Sequence, residues 1–184
     1  HIMATAKKQG TKVPPQNLDA EKSLLGAILI NEDVLADTTE FVKPQDFYDP
    51  KHGLIYESVL SLFEKHRPVD LLTLTDELKK FNHLDEIGGS SYLTELTNYV
   101  PTAANASAYA EMVAQKAIRR RLIKAGGEIV EAAYDEETDT EELLGQAESE
   151  LFSVSDQSLK QDLSSIESIL EESFDRIEEL SRNK

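Results

Sequence analysis

Three side chains between residues 46 and 52 have the types and the spacing that could bind a metal ion. Asp46, Asp49 and His52 recur at every third position, and carboxylate and imidazole groups are common metal ligands. A helix would align them, but Pro50 interrupts it because proline lacks the backbone N–H and clashes with the preceding turn. The pattern therefore favours a structural turn followed by the start of a helix.

The other candidates for chemistry are equally weak. No glycine begins the G-x-x-x-x-G-K-[ST] loop that binds nucleotide phosphates, and no nucleophile-elbow motif marks a catalytic serine. His66 and His83 each follow the apolar run of a helix, where such side chains suit the last carbonyl groups. The chain has no cysteine for a thiolate metal site or a disulfide. We expect no catalytic residue, cofactor or metal here.

Acidic charge is concentrated in the last part of the chain. The net charge is −16, and residues 135–184 contain sixteen Asp or Glu against four Lys or Arg. Such a field argues against tight DNA binding, which relies on Lys and Arg at the phosphates. The basic residues that cluster are Lys116, Arg119, Arg120, Arg121 and Lys124. This cluster is either a solvated helix face that complements acidic neighbours or a contact for nucleic acid or an acidic partner.

Apolar residues recur at spacings of three and four along most of the chain, which predicts an all-α fold. The first helix has a narrow stripe formed by Leu24, Leu25, Ile28 and Leu29. A later helix is predicted to open with a capping box of Thr73 and Asp76 and to bury Phe81, and Ser90 is the predicted cap of the next. No 18-residue apolar run and no signal-peptide pattern occurs, so we expect a cytoplasmic protein without membrane contact.

The pattern divides the chain into five parts. They are a vector remnant with a disordered arm (1–16), a small globular helical bundle (17–103), a long antiparallel helical hairpin (104–155), a tether (156–163) and a separate amphipathic linker helix (164–184). Gly126 and Gly127 lie inside the first arm of the hairpin, where glycine disfavours a helix, so we expect a close backbone neighbour or a bend.

The linker helix has an apolar stripe that must be covered by something. Its members are Ile166, Ile169, Leu170, Phe174, Ile177 and Leu180, and acidic residues occupy the rest of its surface. A lone helix of this length is marginal in water. We expect it either to fray or to pack against another copy of the chain.

Five segments in this order identify a family. They read PPQNLDAEKSLLGAIL, DFYDPKHGLIY, PVDLLTLTDEL, LDEIGGSSYLTEL and PTAANASAYAEMV. The series closely resembles the N-terminal domain of the bacterial hexameric replicative DNA helicase, the DnaB family. The resemblance implies a bundle, a hairpin and a linker helix that leads to a RecA-like motor. The motor's ATP and Mg²⁺ site has no counterpart in this sequence, so we expect a designed N-terminal fragment.

The resemblance also implies partners at the replication fork. In similar proteins the N-terminal domains pair through their hairpins, form a collar of threefold character in the hexamer and receive primase, while the linker helix docks on the motor domain of the neighbouring subunit. Whether a helicase loader uses the same surface is left open. Candidate residues for the primase or self-association surface are Tyr92, Ile123, Ile129 and Val130.

Two functions of different classes remain. One is a non-catalytic collar for ring assembly and primase docking during DNA replication. The alternative is an independent helical adaptor that joins other proteins, and the identity of the partner separates the two. Without the family, the simplest interpretation of the hairpin's apolar residues is that they pack back on the bundle.

We predict that the purified chain neither hydrolyses ATP nor unwinds duplex DNA, because it lacks the phosphate-binding loop and is strongly acidic at one end. Phosphate release with and without single-stranded DNA measures the first activity, and strand displacement measures the second. Stoichiometric nucleotide turnover by a pure sample would contradict the prediction.

Overall fold

The computed structural model describes residues 12–156, and every regular element in that range is a helix. The helices are α1 (Leu18–Ile30), α2 (Leu35–Thr38), α3 (Pro50–Glu64), α4 (Leu71–Lys80), α5 (Gly89–Thr97), α6 (Ala106–Tyr134) and α7, which begins at residue 140 and includes residue 156. The predicted all-α class is confirmed. The linker helix predicted at 164–184, with its apolar stripe, lies outside the described residues.

Helix α1 lies at the centre of the bundle, in contact with α3, α5 and α6. The predicted stripe is buried only in part, since Leu29 is half-exposed, and the burial extends to small residues on its other sides, including Ala20, Ser23 and Ala27. A helix that is apolar nearly all round is one that neighbours surround. The buried face of α1 is therefore wider than the apolar stripe predicted from the sequence.

The contact between α1 and α5 depends on Gly26. A Cβ atom added at this position would lie 2.3 Å from the carbonyl oxygen of Leu96, which belongs to the backbone of α5. Real Cβ atoms do not approach a backbone atom so closely, so only glycine allows the two helices to cross here. The side chain of Val100 covers the same point from the end of α5.

Two predicted helix caps were wrong. Asp70, not Thr73, caps α4, and Thr73 is the third helical residue that completes the capping box with it. Gly88 precedes α5 with a φ of 102°, so the left-handed turn at the glycine starts this helix without Ser90. Phe81, which was predicted to be buried, is the residue after the last turn of α4. It does not face the core, and 52% of its surface is exposed.

The histidines after α3 and α4 act differently from the prediction. His66 itself adopts a left-handed φ of 53°, and the next amide N–H, of Arg67, donates to the carbonyl of Leu62. His83 pairs its ring with Glu86 at 3.1 Å, and it is its backbone N–H that donates to the carbonyl of Leu78. Backbone groups therefore satisfy the last carbonyls of both helices.

Helix α6 belongs to the bundle at one end and to the hairpin at the other. Ala110, Val113 and Ala114 join the same core as α1, because small side chains let α6 lie close to it. Further along, Ile129 of α6 and Leu143 of α7 line a groove of about 340 Å³ between the two helices. Because a short connection joins them and they share this groove, α6 and α7 run antiparallel.

We predict that Gly26→Ala lowers the free energy of unfolding by about 2–3 kcal/mol, since α1 and α5 must move apart to admit the methyl group. The matched control is Gly127→Ala, where no neighbouring atom of residues 12–156 lies within 4 Å of the added Cβ; it should raise helix stability by about 1 kcal/mol. Urea unfolding of dilute samples measures both. A neutral effect of Gly26→Ala would show that the helix crossing is not tight.

Candidate protein-docking surface

The three residues with metal-ligand spacing each have a structural partner. Asp46 accepts the N–H of Lys43 at 2.8 Å, and Asp49 caps α3 by accepting the N–H of Lys51 at 3.1 Å. His52 is fully buried. The predicted turn and helix start are confirmed at Asp49. No cluster of His, Cys, Asp and Glu within residues 12–156 has the arrangement to hold a metal ion.

A buried polar network occupies the position of the supposed metal site. Glu21 of α1 accepts the N–H groups of Tyr48 (2.5 Å) and Asp49 (3.3 Å), and His52 Nδ1 lies 2.6 Å from its second oxygen. His52 Nε2 lies 2.7 Å from the hydroxyl of Tyr92. Because each buried polar group finds a partner, the network holds α1, α3 and α5 together without an open site.

Tyr92, predicted as a primase contact, is largely committed to this network. Its ring stacks on His52 at 6.1 Å, and the ammonium group of Lys51 lies 4.1 Å from its ring centre. Burial, followed by nearby carboxylates, raises the pKa of the hydroxyl to about 12. Only the exposed part of Tyr92, at the surface of the bundle, is therefore available for contact with a partner.

Two arginines of the basic cluster hold α6 against the bundle. Arg120 donates to the carbonyl oxygens of Pro15 (2.7 Å) and Asp46, and burial lowers the pKa of its guanidinium. Arg121 pairs with the buried Asp46 carboxylate at 2.6 Å. The ion pair of Arg121 agrees with a helix face that complements acidic neighbours, but both arginines bind fixed groups of the same chain and are not simply solvated. Lys116 and Arg119 remain on the surface.

Beyond the arginines, α6 presents an open apolar face. Ile123, Val130 and Tyr134 are exposed by 61%, 57% and 84%. Ile129, which was predicted to lie on the same surface, is half-buried in the groove between α6 and α7. The structure thus keeps Ile123 and Val130 as free surface residues and separates them from Ile129 and Tyr92.

Helix α7 adds further exposed apolar residues. Leu144, Leu151 and Phe152 are exposed by 66%, 51% and 69%. Leu144 and Leu151 are seven residues apart and so lie on one side of the helix. The hairpin thus exposes more apolar surface than its own groove uses, and the simpler interpretation, that these side chains pack on the bundle, was wrong for them. A concentration of such residues usually marks an interaction site.

The glycine pair lies within this open face. Apart from the adjoining backbone of α6 itself, no atom of the described residues lies within 4 Å of a Cβ built at Gly126 or Gly127, and α6 continues through both residues. The close backbone neighbour predicted for them is therefore absent from the described part of this chain. Each glycine costs a helix interior about 1 kcal/mol relative to alanine, and no close contact within residues 12–156 requires a glycine at either position.

Tyr134 also belongs to this exposed face, and it is not among the residues that were predicted from the sequence. Its position is marked by spacing, since 123, 127, 130 and 134 recur at three and four residues and follow one stripe of α6. It was overlooked because it precedes the acidic connection between the helices.

The described residues form an all-α bundle with a buried core that carries a hairpin with exposed apolar side chains. The chain belongs to the family described as the DnaB-like helicase N terminal domain, whose model matches residues 13–115. This confirms the resemblance drawn from the five sequence segments. Within the described residues, no helix is both long and apolar enough to cross a membrane.

Curated relatives are similar over most of this chain. The replicative DNA helicase DnaB of Leifsonia xyli is 44% identical over 160 residues, which are 84% of this chain and 35% of that protein. The replicative DNA helicase DnaC of Bacillus subtilis is 40% identical over 173 residues, or 94% of this chain and 38% of that protein. The chain thus spans somewhat over a third of the length of these relatives.

Solved structures of similar domains have the same fold. The N-terminal domain of the DnaB helicase from Mycobacterium tuberculosis is 42% identical with a TM-score of 0.74, covering 77% of this chain and 99% of that one. The N-terminal domain of the Helicobacter pylori DnaB helicase, whose structure was described with its interactions with primase, is 26% identical with a TM-score of 0.56, covering 63% and 90%.

We predict that Ile123→Lys and Val130→Lys each change the free energy of unfolding by less than about 0.5 kcal/mol in dilute solution, because both side chains already contact water. The buried control in the same helix is Val113→Lys, exposed by 2%, which should lose about 3–5 kcal/mol through an unpaired buried charge. Thermal and urea unfolding measure both. A loss at Ile123 comparable to that at Val113 would show that Ile123 is part of the core.

Proposed function

We propose that this chain is the non-catalytic N-terminal module of a replicative DNA helicase, in which it assembles subunits into a ring-shaped collar and receives primase at the bacterial replication fork. The observation that carries the proposal is the exposed face of the hairpin on a bundle whose own core is complete. ATP and Mg²⁺ then belong to a motor domain of the full helicase, and these residues provide a platform for assembly.

Self-association through the hairpin is supported by the distribution of apolar surface. Ile123, Val130 and Leu144 are each more than half exposed, whereas the large aliphatic side chains that form the core of the bundle are almost completely buried. Exposed apolar area of this kind drives association because burial removes it from water. Pairs of hairpins are then the units from which a collar of threefold character is built.

Primase docking is supported by what two structural neighbours were reported to do. The Helicobacter pylori domain and a DnaB-like replicative helicase, the latter 25% identical with a TM-score of 0.65 and matched over 77% of this chain and 31% of that protein, were each described with their interactions with primase. We place the primase contact of this chain near the hairpin, with Ile123 as the most exposed member of the predicted site.

The linker helix supplies the connection to the motor ring in this proposal. In this proposal its apolar stripe, which includes Ile169, Leu170 and Phe174, docks on the motor domain of the neighbouring subunit. This segment would tie adjacent subunits together while letting them shift during ATP cycling. A helicase loader could share the collar surface.

The test is to measure, by titration calorimetry, how tightly this chain binds the helicase-binding domain of a primase. Ile123→Asp should weaken binding at least about tenfold, the effect expected of a central apolar contact. The control is Leu72→Asp, because Leu72 is 79% exposed on α4, which packs on α3 and α5; it should leave the affinity unchanged. Circular dichroism confirms that both variants keep their helices.

Failure to bind any primase, with the chain folded, would contradict the docking part of the proposal and favour the independent adaptor. An affinity that Ile123→Asp leaves unchanged would place the contact away from the hairpin. The wild-type chain and the full helicase should bind primase through the same residues, so Ile123→Asp in the full protein must reproduce the loss.

A further inference from the structure

A small slot opens on the bundle between helix α3 and the segment that follows α4. Its volume is about 180 Å³, and its walls are formed by Glu57, Ser58, Ser61, Phe81 and His83. None of these residues belongs to the hairpin, and the proposed collar function uses none of them. The slot is therefore a surface feature separate from the hairpin face.

The turn after α4 gives the slot an aromatic wall. Phe81 follows the last residue of α4 and is more than half exposed. The helix stops there because the next residue, Asn82, takes a left-handed φ of 58°, and the backbone N–H of His83 then donates to the carbonyl of Leu78. This turn brings Phe81 and His83 together at the slot beside α3.

Two polar groups of the slot have no partner within residues 12–156. The carboxylate of Glu57 is exposed and forms neither a hydrogen bond nor an ion pair there. Ser58 is only 4% exposed, yet its hydroxyl also forms no hydrogen bond with the described residues. A buried hydroxyl without a partner is unusual. Because Ser58 lines the slot, its hydroxyl can bond to a group that enters from outside.

The unpaired charge at the slot is negative. Glu57 has no ion pair in the described part of the chain. Lys65 lies 5.8 Å from the centre of the aromatic ring, but its ammonium group binds the buried carboxylate of Glu77 at 2.5 Å. His83 has a second carboxylate beside it, that of Glu86 at 3.1 Å. The slot, on a chain of net charge −16, therefore attracts a cation.

The size of the slot restricts its guest to a single side chain. Sites for small-molecule ligands usually measure about 300–1,000 Å³, whereas this slot measures about 180 Å³. A guanidinium group is flat, stacks on aromatic rings and donates several hydrogen bonds. Glu57 offers it a charged acceptor, Ser58 a neutral acceptor and Phe81 the ring. Arginine can use all three, while the ammonium group of lysine cannot stack as a plane.

We propose that this slot binds an arginine side chain of a basic segment in a partner protein. The guanidinium group stacks on Phe81 and donates hydrogen bonds to the carboxylate of Glu57 and the hydroxyl of Ser58, and the rest of the segment lies outside the slot. Such a partner docks on the bundle and leaves the hairpin face available. The inference does not depend on the collar function proposed above.

Peptide titration followed by NMR tests the site. The probe is a blocked tripeptide with a central arginine, and its matched control has citrulline in that position, which keeps the shape and removes the charge. The backbone amide signals of Ser58, Phe81 and His83 should shift as the arginine peptide is added to the isotope-labelled chain. The arginine peptide should bind at least about tenfold more tightly than the citrulline peptide, because only arginine makes charge-assisted hydrogen bonds to Glu57.

Substitutions of exposed side chains then identify the groups that bind. Glu57→Gln should weaken binding of the arginine peptide about tenfold, through loss of the charged acceptor. Phe81→Ala should weaken it about threefold, the effect expected of a cation beside an exposed ring. The control is Glu111→Gln, another exposed carboxylate, which lies on α6 outside the slot; it should leave the affinity unchanged. Circular dichroism checks that all three variants keep their helices.

Several outcomes overturn the site. They are no binding of the arginine peptide, equal binding of the arginine and citrulline peptides, shifts confined to residues away from the slot, and a folded Glu57→Gln variant that binds like the wild type. None of these results bears on the collar function, which is tested with primase.

Discussion

The rest of the structure depends on one constraint, that helix α1 is covered on nearly all sides at once. Gly26 admits the backbone of α5, and Leu24, Leu25 and Ile28 pack into the common core. Because the first half of α6 also packs against α1, the packing around α1 determines the position of the hairpin. The exposed surface is thus placed by a core that does not itself take part in binding.

Helix α1 carries one buried carboxylate, which needs hydrogen-bond partners inside the bundle. Glu21 is only 2% exposed, and an isolated carboxylate at such a depth is strongly unfavourable. The turn before α3 supplies backbone N–H groups and His52 supplies a ring nitrogen, so the carboxylate gains partners from residues far away in the chain. In the same way, the buried carboxylate of Asp46 pairs with Arg121, and this ion pair fixes α6 to the turn before α3.

The helices could be predicted from the sequence because their apolar spacing is local. The caps at Asp70 and Gly88 were missed because Thr73 and Ser90, three and two residues further along the chain, are also residue types that commonly cap helices. The network of Glu21, His52 and Tyr92 could not be predicted, since its members are separated by tens of residues and their spacing in the chain reports nothing about their distance in space.

The candidate surface was predictable only in part. Ile123 and Val130 could be chosen because they flank a glycine pair in a helix, but which apolar residues face the partner helix depends on how α7 packs against α6. That packing placed Ile129 in the groove. The unfilled space around Gly126 and Gly127 required the structure, because a sequence cannot distinguish a glycine that meets a neighbour within the chain from one that does not.

In the proposed function, the hairpin is an interface that a second copy of the chain completes. The most direct measurement is the mass in solution by sedimentation equilibrium, from low micromolar to near-millimolar concentration, for the wild-type chain and for Val130→Lys. We predict that the wild type shifts from the mass of one chain to that of two, and that Val130→Lys remains at the mass of one over the same range. A wild-type chain that stays monomeric throughout, or a variant that associates equally well, would contradict it.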